Sequence, residues 1–128
     1  MNLDSFSVRP RRLRGSAALR SLVRETTLDA GDFVYPLFVR HGTGIKSPIA
    51  SLIGQFHFSP DELLEECAAA VAEGIHSVLL FGIPETKDAE GSEGWSENGA
   101  VQTAVRLLKR ELPGLLVLTD VCLCEYTD

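Results

Sequence analysis

One carboxylate and two thiols close the segment Thr119-Asp120-Val121-Cys122-Leu123-Cys124-Glu125-Tyr126-Thr127-Asp128. Thiolates select zinc or copper(I) over magnesium or calcium. In an extended strand side chains alternate between faces, so Asp120, Cys122 and Cys124 are expected on one side and Val117, Thr119, Val121 and Leu123 on the other. A zinc site needs at least three protein ligands, and the C-x-C pair supplies two, so a third has to come from elsewhere. Cys67, the remaining cysteine, falls on the apolar stripe of an expected helix, where a thiol behaves as a small hydrophobe. His41 and His57 stand apart from the thiols, whereas ligand histidines come in clusters with supporting partners, so both read as surface or hydrogen-bonded side chains. Without context, a lone C-x-C is also compatible with two half-buried strand cysteines that hold nothing.

Lys87 is a conceivable amine nucleophile. A Schiff-base lysine needs a pKa lowered by burial or by a cationic neighbour, and Lys87 has Glu85 and Asp88 beside it, so it reads as salt-bridging or solvated. The glycines of the Lys87 to Ser92 loop and its continuation, Gly91-Ser92-Glu93-Gly94, lack the Walker spacing. Their acids would repel phosphate, so this stretch reads as a mobile loop.

The elements that must position these residues follow from pattern. Residues 1–31 form an arm, with a short helix near Ala17 to Arg24. Phe33 to Val39 is a strand by its β-branched and aromatic content, with Pro36 expected to break the pairing near it. His41 to Ser59, with Gly42, Gly44, Pro48 and Gly54, reads as a loop or short hairpin rather than a core element. Ser59-Pro60-Asp61-Glu62 marks a helix start, an N-cap with proline at the first position and a reciprocal glutamate. Leu64, Cys67, Ala68 and Val71 give the stripe of that helix and Gly74 its stop. Ser77 to Phe81 is a strand buried on both faces. Val101, Ala104, Val105, Leu108 and Leu112 describe a second amphipathic helix, halted at Pro113-Gly114. Leu115 to Cys124 is the third strand. Three strands separated by helices indicate right-handed βαβ units and a parallel sheet, which pattern alone leaves as a closed barrel or a doubly wound open sheet. In a barrel, sites lie at the carboxyl ends of the strands, where Asp120, Cys122, Cys124 and the Lys87 loop all fall.

Composition narrows the functional classes. The 128 residues are 45% hydrophobic with formal charge −6, as expected of a globular chain. The charge is uneven: residues 1–40 hold seven arginines against four acids, and residues 41–128 five bases against fourteen acids. A single basic cluster, Arg9 to Arg14, on an acidic body lacks the positive field and interleaved aromatics of a nucleic-acid surface. It reads instead as a solvated arm or one docked on an acidic neighbouring subunit. No secretory signal and no run near the ~18 apolar residues of a membrane span are expected. Three cysteines make no disulfide framework, which points to metal use in a reducing cytoplasm.

Asp120 to Thr127 resembles the zinc-binding segment of porphobilinogen synthases, also called 5-aminolevulinate dehydratases. Five further stretches resemble landmarks of that family in its order and approximate spacing: Arg9-Pro10-Arg11-Arg12-Leu13-Arg14, Val34-Tyr35-Pro36-Leu37-Phe38-Val39, Phe81-Gly82-Ile83-Pro84, Lys87-Asp88 with Gly91-Ser92, and Val101-Gln102. Leu52-Ile53-Gly54 departs from the family's Met-Pro-Gly. The resemblance covers essentially the whole chain but only the first part of a family member. It implies a (β/α)8 TIM barrel, represented here by an N-terminal arm for subunit association (1–31) and the first three β/α strands of an incomplete barrel (32–128). It further implies zinc held by Cys122, Cys124 and a third cysteine from a His-Gly-His-Cys run beyond the position of Tyr126, with Asp120 as a supporting carboxylate. Zinc-independent members carry Ala and Asp at the two cysteine positions, so the residues here argue for the zinc type. The activity implied is condensation of two 5-aminolevulinate molecules to porphobilinogen, for haem and other tetrapyrroles, through two Schiff-base lysines on later strands. A homo-octamer built through the arm is implied too, and an allosteric magnesium ion at the arm interface is left open. These 128 residues by themselves are expected to be inactive. The alternative from another class is a non-enzymatic module limited to subunit association or weak metal binding. Another class I aldolase-type barrel would share the architecture, with no reason to pair Cys122 with Cys124 beside Asp120.

Overall fold

Two seven-residue strands, β1 (Val34–Arg40) and β4 (Ser77–Ile83), form the centre of the sheet in the computed structural model, which describes residues 10–128. Arg9 and the rest of the first nine arm residues lie outside the described residues. Chain order is α1 (Ala17–Leu22), β1, β2 (Lys46–Pro48), β3 (Phe56–Phe58), α2 (Pro60–Ala72), β4, α3 (Ser92–Trp95), α4 (Ala100–Glu111) and β5 (Leu116–Thr119). The sheet order is β2-β3-β1-β4-β5, in which β1, β4 and β5 run parallel and each is reached through a helix, as βαβ units require.

The excursion between β1 and α2 contributes more than a loop. Its antiparallel pair β2–β3 adds to the sheet through a parallel contact of β3 with β1 at Phe38 and Val39, and Phe58 is almost wholly buried. Two aromatic residues in a three-residue strand give that segment enough apolar area to join the core, at ~1.5–3 kcal/mol for a buried large side chain. Pro36 does not break its ladder: the register runs unbroken from Val34 against Ser77 to Arg40 against Ile83. Because β3 reaches only Phe38 and Val39, Pro36 has a neighbour on one side alone, an edge position where its missing N–H costs nothing.

Helices α2 and α4 pack side by side over one face of the sheet. Leu63 and Cys67 of α2 and Ala104 and Leu108 of α4 meet Leu37 and Val39 of β1 and Val78 and Leu80 of β4, all fully buried. The stripe of α2 is rotated from the expected one. Leu63, Cys67 and Ala70 are buried, Leu64 and Val71 flank them, and Ala68 faces solvent. The start of α2 also differs, because Ser59 forms no side-chain cap. Its hydroxyl donates to Asp61 Oδ1 at 2.5 Å and accepts from the Ile45 amide at 2.9 Å, so it ties the hairpin to the helix. Gly74 takes the left-handed conformation (φ 91°) that ends α2.

The opposite face of the sheet carries Pro36, Leu79 and Leu118 in one row and Phe38 and Phe81 in the next, the two rings stacked at 5.4 Å. No helix of the described residues covers it, and Leu118 is 38% exposed. Strand β4 is therefore buried on one face and half-buried on the other, rather than buried on both. No described helix is long and apolar enough to cross a membrane.

Candidate functional site

Strand β5 ends at Thr119, well short of Cys124. One further sheet bond runs from the Asp120 amide to the Leu80 carbonyl (3.1 Å), and the chain then leaves the ladder and tightens into a 3-10 turn over Leu123–Glu125. The expected strand through Cys124 is thus replaced by a turn. What pulls the chain away from β4 is visible in its partners. Lys87 Nζ donates to the Cys124 carbonyl (3.3 Å), the Asp88 amide donates to the Tyr126 carbonyl (3.2 Å), and the Thr127 hydroxyl and amide both donate to the Leu123 carbonyl.

The 3-10 turn carries Cys124, with Cys122 immediately before it. The Cys124 thiol is raised above its ordinary value, by the neighbouring Cys122 first, then by burial and by the negative charge of Glu125. Cys122 is half-buried and Cys124 exposed. A bound cation would invert the logic at Cys124, since a metal-bound thiol is deprotonated outright. Asp120 does not join them: among the described residues no three His, Cys, Asp or Glu side chains converge as a metal site. The Glu125 carboxyl is raised chiefly by burial and next by repulsion from Asp120.

The two-thiol set fits a soft divalent ion as a partial site. Zinc bound at about 2.3 Å to sulfur would take both thiolates and require a third donor from outside the described residues. Cys67 is no candidate, being fully buried in the α2 core with its thiol pushed up to about 12 by burial and then by Glu66.

The loop from Ile83 to α4 is braced at several points. Asp88 Oδ1 accepts from the amides of Glu90 (2.9 Å) and Ser92 (3.0 Å), and these bonds hold its carboxyl below the usual range, the Ser92 amide contributing most. Gly91 is in the left-handed region (φ 62°), and Gln102 Nε2 reaches the Gly94 carbonyl at 2.8 Å. Glu93 bridges two elements: Oε1 pairs with His41 Nε2 at 2.7 Å, and Oε2 accepts from the Glu85 amide at 3.1 Å. His41 is thus a hydrogen-bonded histidine, as expected. His57 packs edge-on against Phe38, with its pKa lowered by burial and next by Arg40. Lys87 spends its ammonium on a carbonyl and is exposed, unlike a Schiff-base lysine.

Sequence reading overlooked Glu93 and undervalued Tyr126. The His41–Glu93 pair spans 52 residues and has no local signal. The available clue was topological: parallel neighbours such as β1 and β4 bring the loops after them to one rim. A cleft of about 170 Å³ opens beside this rim between Gly94, Val101, Gln102, Tyr126 and the Thr119 to Leu123 segment.

Comparison with known proteins bears on what this rim does. The family model described as delta-aminolevulinic acid dehydratase matches residues 7–128. A delta-aminolevulinic acid dehydratase of Ruminiclostridium josui is 49% identical over 94% of this chain and 58% of its own length. That of Methanothermus sociabilis is 48% identical over 94% of this chain and 37% of its own. In three dimensions the chain is similar to the Toxoplasma gondii delta-aminolevulinic acid dehydratase (porphobilinogen synthase) crystallised with the reaction product porphobilinogen. The TM-score is 0.89 at 34% identity, covering 97% of this chain and 36% of that one. The chain therefore spans roughly a third to three-fifths of the length of these relatives.

Proposed function

Because this chain belongs to the delta-aminolevulinic acid dehydratase family, we propose that the protein carrying it is a porphobilinogen synthase, condensing two 5-aminolevulinate molecules to porphobilinogen with loss of two waters. The match over residues 7–128 carries this reading, because it runs from the arm through the sheet to the C-x-C pair at the rim. The parallel β1, β4 and β5 supply three strands of a TIM barrel, whose chemistry sits at the carboxyl ends of the strands.

Within that reading Cys122 and Cys124 are two zinc ligands. Zinc bound there acts as a Lewis acid that polarises a substrate carbonyl or eases departure of hydroxide. The residues of this chain hold the rim in shape. Glu93 locks the β1 loop to the β4 loop, and Lys87 and Asp88 fasten the thiol turn. The uncovered sheet face, with Phe38, Phe81, Leu79 and Leu118, fits the interior wall of a barrel that later strands complete. That bare apolar face argues against the rival reading of a self-sufficient binding module. Arm residues 11–29 are exposed almost throughout, Leu22 at 82% and Leu28 at 75%, which supports subunit association through the arm in a homo-oligomer.

The decisive assay is pyrrole formation from 5-aminolevulinate by the full-length polypeptide that carries these residues, alongside the 128-residue chain alone. Turnover by the former, abolished by a zinc chelator and restored by zinc, is expected, with none from the latter. A full-length protein that folds and loads zinc yet forms no pyrrole would overturn the assignment.

A further inference from the structure

A side chain at Gly82, Gly91 or Gly94 would meet the same residue, Tyr126. A Cβ on Gly82 would collide with the Tyr126 hydroxyl, one on Gly94 would stand 3.1 Å from Cδ2 of the ring, and one on Gly91 3.4 Å from the Tyr126 Cβ. These glycines come from the end of β4, the loop after it and α3; those of β4 and α3 are cut back to backbone against one aromatic ring. Gly91 and Gly82 are buried beneath it, and Tyr126 is half-buried. Close approach of a backbone is a standard reason for glycine, and two such approaches to one ring, from different elements, make a seat.

The seat is bonded as well as packed. Tyr126 accepts from the Asp88 amide through its carbonyl and donates its own amide to Leu123 (2.9 Å), closing the 3-10 turn that contains Cys124. Asp88 in turn gathers the amides of Glu90 and Ser92. Only Leu123, Cys124 and Glu125 separate the ring from Cys122, so the anchor fixes where the turn ends and hence how the two thiols face.

From this geometry we infer that Tyr126 is a positioning residue for the thiol pair: its ring, seated on Gly82 and Gly94, holds in place the turn that carries Cys122 and Cys124. The inference rests on the zinc reading for its purpose but not for its geometry. The seat is one of packing rather than of hydrogen bonding by the hydroxyl: Gly82 approaches the hydroxyl end of the ring and Gly94 its Cδ2 edge.

Two measurements on the full-length polypeptide test it, with Tyr126→Phe and Tyr126→Ala compared and thermal melts confirming that each variant folds. In the metal-free protein, Tyr126→Ala should speed amide exchange at Asp88 and Ser92 at least ~10-fold relative to wild type, while Tyr126→Phe leaves both protected. With cobalt(II) in place of zinc, wild type and Tyr126→Phe should show the same sulfur-to-metal charge-transfer band. Tyr126→Ala should weaken metal binding by about 10–100-fold, the range seen when a ligand's supporting partner is lost, with an altered band. If Tyr126→Ala folds, keeps those amides protected and keeps the wild-type band, the inference is wrong. If Tyr126→Ala does not fold, Tyr126→Leu takes its place, keeping apolar bulk without the ring plane, and the same outcomes decide. If wild type gives no thiolate band at all, the zinc reading fails, and amide exchange still decides whether Tyr126 anchors the turn.

Discussion

Cys67 and the Cys122–Cys124 pair place the same side chain in opposite surroundings. Cys67 lies under α2 with no exposed surface, among Leu63, Leu37 and Val39, and its thiol is pushed up to about 12 by burial. Cys122 and Cys124 sit at the rim, in and beside a turn held by Lys87, Asp88 and Tyr126. The difference teaches that the chemistry of a cysteine is set by what surrounds it: the first thiol is volume, and the other two, on the proposed reading, are donors.

The alkaline limb of stability breaks or upholds the first half of that contrast and carries the largest effect. The folded-state pKa of Cys67 is raised from 9.0 to about 12, so its contribution is fully present below pH 9 and is lost as pH rises through 12. Each pH unit above 9 costs about 1.4 kcal/mol, for a total on the order of 4 kcal/mol. Tyr35, also pushed up to about 12 by burial and by its bond to Glu66, adds to the same window from pH 10 upward. Urea midpoints of the full-length polypeptide between pH 8 and 11 should therefore fall, and Cys67→Ala should remove the part that begins at pH 9. A midpoint flat across that range would contradict the buried environment of Cys67.

The second half of the contrast is sharpened by a double dissociation. Cys122→Ser or Cys124→Ser should lower zinc affinity by at least ~100-fold, about 3 kcal/mol, with the melting temperature of the metal-free protein nearly unchanged. Cys67→Ser should do the reverse: it leaves zinc affinity within error and costs ~1–3 kcal/mol of stability, because a hydroxyl without a partner enters the core. Isothermal titration for the former and denaturant unfolding for the latter would show whether the two roles are separate.

The smallest expected effect concerns Glu125, in the turn that carries Cys124. Glu125 has a raised folded-state pKa, from burial first and Asp120 next, so its contribution is present below its ordinary pKa and lost as pH rises through the folded value. At neutral pH it is a mild burden, and Glu125→Gln should raise stability by ~0.5 kcal/mol, discounted for solvent screening. A destabilised Glu125→Gln protein would mean that the carboxylate has a favourable partner instead.

The helix-covered side of the molecule was legible in the sequence. Periodicity at Val101, Ala104 and Leu108 found α4, and the Gly74 stop found the end of α2, because local backbone preference and burial agree there. The rim was less legible. Period-two alternation from Leu116 to Cys124 reads as one long strand, but the ladder ends at Thr119 because Tyr126 and Asp88, 38 residues apart, offer the chain a competing set of contacts. The same blindness to long-range partners hid the His41–Glu93 brace and moved Ser59 from helix cap to hairpin tie. Pro36 misled for a simpler reason: a proline disrupts only the side of a strand on which a neighbour waits. Cys122 and Cys124 were conspicuous as residue types, but their placement depends on a turn the sequence pattern did not announce.

Zinc K-edge X-ray absorption of the full-length polypeptide bears most directly on whether Cys122 and Cys124 are ligands. At least two sulfur scatterers at about 2.3 Å are predicted, with their number falling in Cys122→Ser and Cys124→Ser and unchanged in Cys67→Ser. A zinc shell of nitrogen and oxygen alone, or one indifferent to Cys122 and Cys124, would contradict it.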